Sequence, residues 1–509
     1  MIQLLPLFVA VPLGAAFLTM LAAFKARRLA DVFSSCATGA LLVLAVFTIG
    51  RQGVYPVGGF LAPLGITLVL DGFSVVLLVI VNGIGFLATI YSISYMERYT
   101  SKYKYYTLFL LMIGGMNGVV ITGDVFNLFV FLEIASIASY ALVAFGGEHE
   151  ELEASFKYLV LGSVGSAFIL LAIALVYGAT GQLNMAGIAR ALAGTDKPWL
   201  VDFAAVLFLA GFSVKAALVP FHPWLPDAHP SAPAPISAML SGVLIKALGV
   251  YALTRIIFNV LGATPLFGMI VMGLGVLSMT VGVFLAVGQW DFKRLLAYHS
   301  ISQMGYVVLG IGLGMFILAS GGDAVVAGTA LLGGILHLAN HAAFKSLLFF
   351  CAGSVEFRTG TRQLKELGGI EEKMPVTRLT CTVASLSIAG IPPLNGFWSK
   401  LIIVVATIQA AFMYPGILAL TAVTVLVSFV TLISFLKVLR YVFLGALPDM
   451  FKNIRESPFF MGVTLVSLAL LCAGMGLLLI PGARGAILDP AVEALKQGLG
   501  YGNRVLTGL

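Results

Sequence analysis

The chain has 509 residues, of which 60% are hydrophobic and only 10% charged, and its mean hydropathy is +1.05. A soluble protein of this length needs far more polar surface to cover its core, so that class is excluded. The formal charge of +7 does not point to nucleic acid, because the basic residues fall in short loops between apolar stretches, where the enrichment of Lys and Arg on the cytoplasmic side of membranes explains them.

Apolar stretches long enough to cross a hydrocarbon core of roughly 30 Å recur from end to end. They predict an all-α polytopic membrane protein of about 14 helices, near residues 2–22, 30–50, 68–94, 106–122, 125–146, 156–178, 202–220, 234–256, 265–287, 299–319, 327–353, 379–412 (interrupted), 414–440 and 459–480. The seventh breaks after Val219. The first segment lacks a basic start and runs straight into KARR, which reads as a retained first helix and not a cleaved signal. Cys36, Cys351, Cys381 and Cys472 stand singly in apolar segments, so neither an iron–sulfur cluster nor a disulfide framework is indicated.

The loops test this count. Odd-numbered loops hold about 17 basic residues, among them Lys25, Arg27, Arg28, Arg98, Lys102, Lys104, Lys293, Arg294, Arg358 and Arg362. Even-numbered loops hold about four, read as Arg51, Arg190, Lys197 and Arg255. That asymmetry puts the odd loops in the cytoplasm and both termini outside, as expected in the plasma membrane of a prokaryote.

Subtracting the loops and the C-terminal tail leaves Lys215, Lys246, Lys345, Lys400 and Lys437 within helices, all lysines. A desolvated lysine can lose its proton, whereas arginine effectively cannot. Lys437 lies near a helix end, where the bland reading is an ammonium that snorkels to the interface. On the acid side, Asp124 and Asp71 stand at helix starts and read as caps. Glu133 does not. It lies eight residues beyond Val125, about 12 Å along the axis and close to the mid-membrane. An intramembrane carboxylate marks an ion or proton path more often than a structural salt bridge.

In the eleventh span, His337, His341 and Lys345 are spaced by four and share a helical face. Imidazole titrates near neutral pH and suits a proton relay. Packing is the plainer alternative, and a metal lacks any nearby acid or cysteine to complete a ligand set. Two breaks complete the pattern. Lys215 precedes VPFHPWLPDAHPSAPAP, with Pro220, His222, Pro223 and His229, and Lys400 follows IAGIPPLNGFW, with Pro392 and Pro393. Prolines there remove backbone donors, and interrupted spans in two halves of a membrane protein point to a transport site at mid-depth.

The stretches GDVFNLFVFLEIASIASYALVAF, FSVKAALVPFHPWLPDAHPSAPAPISAMLSGVLIKALGVY, GQWDFKRLLAYHSISQMGYVVLGIG, NHAAFKSLLFFCAGSVEFRTGTR and IAGIPPLNGFWSK resemble the antiporter-like proton-pumping subunits of respiratory complex I, Mrp-type sodium/proton antiporters and membrane-bound hydrogenases. GDVFNLFVFLE and TGQLNMA look closest to the Mrp D-type subunit and its hydrogenase relatives. The resemblance implies N-terminal helices over 1–105, two inverted five-helix repeats over 106–258 and 259–445, and a final helix with a tail over 446–509. The sequence ends soon after the fourteenth span, so the lateral helix of the largest complex I member is not expected.

Carried over by motif, Glu133 is the fifth-helix glutamate and Lys215 its seventh-helix partner. Lys246 is the connecting lysine, His337 the eleventh-helix histidine, and Lys400 the twelfth-helix lysine, where some members place glutamate. His341, Lys345, Asp124, His222 and His229 are supporting candidates. The resemblance also implies partner subunits, antiporter-like and small membrane chains, with a redox arm where the complex is respiratory. No motif for NAD, flavin, quinone or an iron–sulfur cluster is present, so no cofactor is expected. The function expected is translocation of protons, or of sodium and protons, by coupled charges: with Lys215 protonated Glu133 stays ionised, and separation of the two releases the lysine's proton toward Lys246, the His337 region and Lys400. The rivals are a stand-alone secondary transporter of a small solute and a non-conducting structural subunit.

Overall fold

The computed structural model describes residues 1–22, 27–62, 65–193 and 199–508. The expectations at Lys25 and Lys197 lie outside the described residues, as does the side chain of Arg27. The chain opens with α1 (Leu7–Ala22) and α2 (Arg27–Val46). A short antiparallel hairpin follows, β1 (Gly53–Pro56) against β2 (Thr67–Leu70). Next come α3 (Gly72–Tyr95), α4 (Lys102–Ile121), α5 (Val125–Val143), α6 (His149–Thr180), the short α7 (Met185–Leu192) and α8 (Trp199–Ala216). After a break come α9 (Leu225–Ser231) and α10 (Ala234–Val260). The second half holds α11 (Pro265–Val287), α12 (Phe292–Ala319), α13 (Ala324–Thr359), α14 (Pro375–Ala389), α15 (Asn395–Ala411), α16 (Leu418–Val442) and α17 (Phe459–Gly474). It closes with α18 (Pro481–Lys496) and α19 (Tyr501–Leu506).

Among the described residues, 13 helices are long and apolar enough to cross a membrane. The twelfth expected span is missing from that number because its break divides it into α14 and α15, of 15 and 17 residues. Counted as one interrupted crossing, they restore 14. The seventh span breaks as its prolines require, with α8 ending at Ala216 and Pro220 and Pro223 between it and α9. The hairpin, α7, α18 and α19 were not expected. The hairpin, α7 and α19 are short, and α18, with 16 residues, carries charges and an internal Pro490; α7 owes its start to a side-chain cap, Asn184 Oδ1 accepting from the amides of Ala186 and Gly187, each at 3.1 Å.

Burial follows composition. α10 is wholly enclosed and α12 nearly so, whereas α1, α16 and α17 turn mostly outward. The enclosed helices carry polar side chains that hydrocarbon would not tolerate, and surrounding helices supply the apolar coat. Both ends of the chain meet the hairpin, since Ile2 packs on Gly53 and Arg504 Nη2 donates to Gln52 Oε1 at 3.3 Å. At the opposite end, Lys157 and Arg294 both hold Asp227, at 3.0 and 2.9 Å, and Lys293 holds Glu356 at 3.2 Å.

Two expectations are corrected. Arg255, assigned to a loop, lies in the last turns of α10, buried and bound to Asp71 at 2.8 Å. α10 runs four residues past the expected end at 256, and its widened backbone carries Arg255 to the start of α3. The described helices therefore bury an arginine as well as lysines, and it is tolerated because a carboxylate, Asn259 and Tyr251 all receive its N–H groups.

Candidate functional site

The first cluster joins α5, α6 and α8. Asp124 caps α5, accepting from the Asn127 amide at 2.8 Å, and Glu133 projects from the middle of that helix. Lys215 stands in the last turn of α8, where the chain is about to break. The Lys215 Nζ lies 3.7 Å from Glu133 Oε1. That is ion-pair range but beyond a hydrogen bond. The ammonium instead donates to Ser136 Oγ at 3.1 Å and Tyr140 OH at 3.3 Å, while Ser166 Oγ donates to Glu133. The two charges thus touch loosely, each with neutral partners of its own. Their exposure differs: the Lys215 side chain is 3% exposed and that of Glu133 28%. Glu133 keeps its place in the middle of the helix but turns partly toward the outer face of the bundle. It stands at the edge of an outward stripe of Phe126, Val130 and Ile137, all exposed.

The next group sits at the centre. Lys246 is fully buried on α10, and its Nζ donates to the Ser241 carbonyl at 2.8 Å. This part of α10 is π-helical over Leu240–Tyr251, a form in which carbonyls bond five residues along and which recurs at functional sites. α10 approaches the end of α8 closely, because a Cβ on Gly249 would meet Ala216 at 2.5 Å. Lys246 thus stands within one turn of the residue that touches Ala216, the neighbour of Lys215. Beyond it, His341, His229 and Lys345 are within electrostatic reach of one another and of Lys246. His229 belongs to α9, beyond the break, and its ring lies tilted against that of Phe349 with centroids 5.2 Å apart. Both ring nitrogens of His229 and His341, and the Lys345 ammonium, have no protein hydrogen-bond partner among the described residues.

The third group surrounds the second break. His337 Nδ1 meets Ser399 Oγ at 2.9 Å, and its ring lies 5.3 Å from that of Tyr306. Lys400 Nζ lies 4.7 Å from the Tyr306 ring centre and donates to the Ile388 carbonyl at 2.8 Å. That carbonyl belongs to the last turn of α14, where orphan acceptors and the negative end of the helix dipole favour a cation. Gly390 makes the contact available. It adopts φ +87°, and a Cβ there would meet the Lys400 side chain at 3.0 Å. Pro392 and Pro393 follow in the break.

The structure brings Glu133 and Lys215 together, and it gathers Lys246, His341, His229, Lys345, His337 and Lys400 into the enclosed centre. His222 is left apart, half-buried in the first break, with no side-chain bond to the row among the described residues. Lys437 reaches the end of α11 and donates to the carbonyls of Val287 and Gln289, each at 2.7 Å. Among the described residues, no three His, Cys, Asp or Glu side chains form a metal-binding group.

Sequence reading missed several participants. His299 (Nε2 to Ser434 Oγ, 2.8 Å) and Gln303, whose side-chain amide finds no partner among the described residues, are fully buried on α12. With Tyr306 they follow helical spacing in HSISQMGY, a signal that was legible. A second missed set lies between the α9 end and the surface: Lys293, paired with Glu356, donates to the Ala232 carbonyl at 3.0 Å, and Arg362 reaches Glu356 at 3.8 Å. Arg362, Asp227, Asp291 and Lys157 line a surface cleft of about 330 Å³.

The sequence profile of the NADH:quinone oxidoreductase/Mrp antiporter transmembrane family matches residues 122–434. The chain belongs to this family. A second profile, complex I chain 5 N-terminus, matches 56–106. Among relatives, the chain is 37% identical to the N-type subunit of the NADH-quinone oxidoreductase of Desulforudis audaxviator, over 88% of this chain and 87% of that one. It is 34% identical to the D-type subunit of the Na(+)/H(+) antiporter of Alkalihalophilus pseudofirmus, over 87% of each. Among solved structures, the Mrp complex of a Dietzia species superposes with a TM-score of 0.87 and 28% identity, covering 99% of both chains. The archaeal membrane-bound sulfane sulfur reductase superposes equally well, with a TM-score of 0.87 and 29% identity, again over 99% of both chains. As a family member, the chain is a multi-pass, antiporter-like ion-translocating subunit, and its structural neighbours are multisubunit membrane complexes.

Proposed function

We propose that this subunit moves protons, or sodium and protons, along the buried row from Glu133 and Lys215 through Lys246, the His341, Lys345 and His337 region, to Lys400. The observation that carries the reading is the Glu133–Lys215 contact of 3.7 Å, an ion pair held open by neutral partners on both sides. With the charges adjacent, the carboxylate favours an ammonium at Lys215. A small displacement of α5 or α8 removes that support and sends the proton on toward Lys246. Downstream, the lysines have only carbonyl or ring partners, so no fixed carboxylate traps the charge, and polar atoms without protein partners call for water between them. His229, Lys293 and Glu356 supply a branch to the surface cleft beside Arg362 and Asp291.

Glu133 borders an outward-facing stripe, so a neighbouring subunit packed against α5 is in a position to act on the pair. The related chains named above work in an antiporter, a quinone oxidoreductase and a sulfane sulfur reductase, which supports partner membrane subunits here and a driving reaction located in them. The two inverted repeats, over 106–258 and 259–445, with residues 1–105 before and 446–509 after, belong to the same reading. One broken crossing with a buried lysine beside it in each half supports them. The basic asymmetry supports a plasma-membrane orientation with both termini outside and the surface cleft in the cytoplasm. The test is Lys215→Ala and Lys400→Ala in the assembled complex, with assembly and ion translocation measured together. Normal assembly with lost translocation is expected. Normal translocation in both variants overturns the reading.

A further inference from the structure

On the opposite side of α13 from its histidines, a cavity of about 840 Å³ opens between α3, α13 and α17. It falls at the upper end of the roughly 300–1,000 Å³ range of small-molecule sites. Its walls include Val79 and Gly83 of α3, Ala339 and Ala343 of α13, and Leu470 and Gly474 of α17, and Ser467 is the only polar residue among the described residues lining it. By helical spacing, Ala339 and Ala343 face away from His337 and His341. The cavity also touches Ala483, in the first turn of α18.

One turn along α3, and along the same α2–α3–α18 seam, lies a smaller recess of about 150 Å³ lined by Arg51, Gln52, Gly72 and Gly485. Arg51 is exposed and forms no ion pair among the described residues. Arg484, adjoining the recess, is held by Asp489 at 2.8 Å. Arg504 donates to Gln52, and the nearby Glu493 is taken by Lys496 at 2.9 Å. Among the described residues, Arg51 is thus the one charged residue lining the recess, and no carboxylate lines it. Arg51 is also unusual for its place, since its loop belongs to the poorly basic set.

An apolar cavity within a bilayer gains little from the hydrophobic effect, because lipid tails are as apolar as its walls. Whatever selects an occupant must act at the polar end, and basic residues at the membrane surface favour anionic headgroups. We propose that the cavity and the basic recess together form a binding site for one anionic phospholipid, its acyl chains behind the histidine helix α13 and its phosphate at Arg51. The site is separate from the translocating row and makes the packing of α13 depend on lipid.

The assembled complex, stripped of lipid in detergent and exposed to phosphatidylglycerol or phosphatidylcholine, tests this by native mass spectrometry. One retained phosphatidylglycerol per chain is expected, with weaker retention of phosphatidylcholine. Arg51→Gln should reduce retention of phosphatidylglycerol roughly fivefold. Gly474→Phe and Gly83→Leu should abolish retention by filling the cavity. Space exists for both, since a Cβ on Gly474 meets nothing within 4 Å and one on Gly83 meets only Leu42 at 3.9 Å. Undiminished retention in the filled variants, equal retention of both lipids, or a neighbouring subunit's side chains seated in the cavity would each overturn the proposal. If the filled variants fail to assemble, the Arg51→Gln comparison decides alone.

Discussion

Three of the buried lysines find oxygen by different local devices, while Lys345 finds none among the described residues. Lys215 uses two hydroxyls and a nearby carboxylate, Lys246 a carbonyl of its own widened helix, and Lys400 the end of a broken one. If Lys400 works by exchanging a proton, its charge alone is not enough. Lys400→Arg keeps the charge and a donor for the Ile388 carbonyl but cannot deprotonate. Translocation in reconstituted vesicles should fall by roughly tenfold or more, with assembly intact; wild-type rates would contradict a titrating role. Ser166→Ala removes one neutral partner of Glu133, a bond worth about 1 kcal/mol, and should slow translocation several-fold without affecting assembly. The lysines were legible in the sequence because charge in an apolar run is rare and type-specific. The exposure of Glu133 was not, because distance along an axis gives depth in the membrane and not which face of the bundle a side chain takes.

At the scale of elements, the site depends on helices that stop or widen where regular ones would continue. The proline-rich breaks of the seventh and twelfth spans were legible because proline removes a donor and cannot be hidden. The widening of α10 was not, since no residue type marks a π-helix, and so the burial of Arg255 near its end was missed too. Close contact of α10 with α8 at Gly249 brings Lys246 near the end of the first cluster. Gly249→Ala puts a methyl group against the Ala216 backbone and should destabilise the subunit by about 1–3 kcal/mol, read as a lower melting temperature of the purified complex. An unchanged melting temperature would mean that the helices are free to part there.

For the whole molecule, the Asp71–Arg255 pair fastens the start of α3 to the last turns of α10. Asn259 adds a bond to the Ala494 carbonyl of α18 at 2.9 Å, so the C-terminal helices close over the pair. Arg255→Met leaves Asp71 buried without its cation and should cost about 3–5 kcal/mol, measured by thermal denaturation of the complex. Replacing both partners with apolar residues should cost less. The large outline, an all-helical bundle with two broken crossings, was legible because hydropathy, basic loops and proline all report on it. The hairpin and the last helix were not, being short, nor was α18, whose charges and internal Pro490 blur its apolar pattern.

Whether the Glu133–Lys215 pair drives ion movement is decided by proton translocation in the assembled complex carrying Glu133→Gln. The amide keeps the size of the side chain and an oxygen to accept from Ser166, but cannot carry the charge that holds the Lys215 ammonium. Normal assembly is expected, with translocation reduced at least roughly tenfold. Translocation at the wild-type rate, at equal abundance of the complex, would contradict a role for the pair.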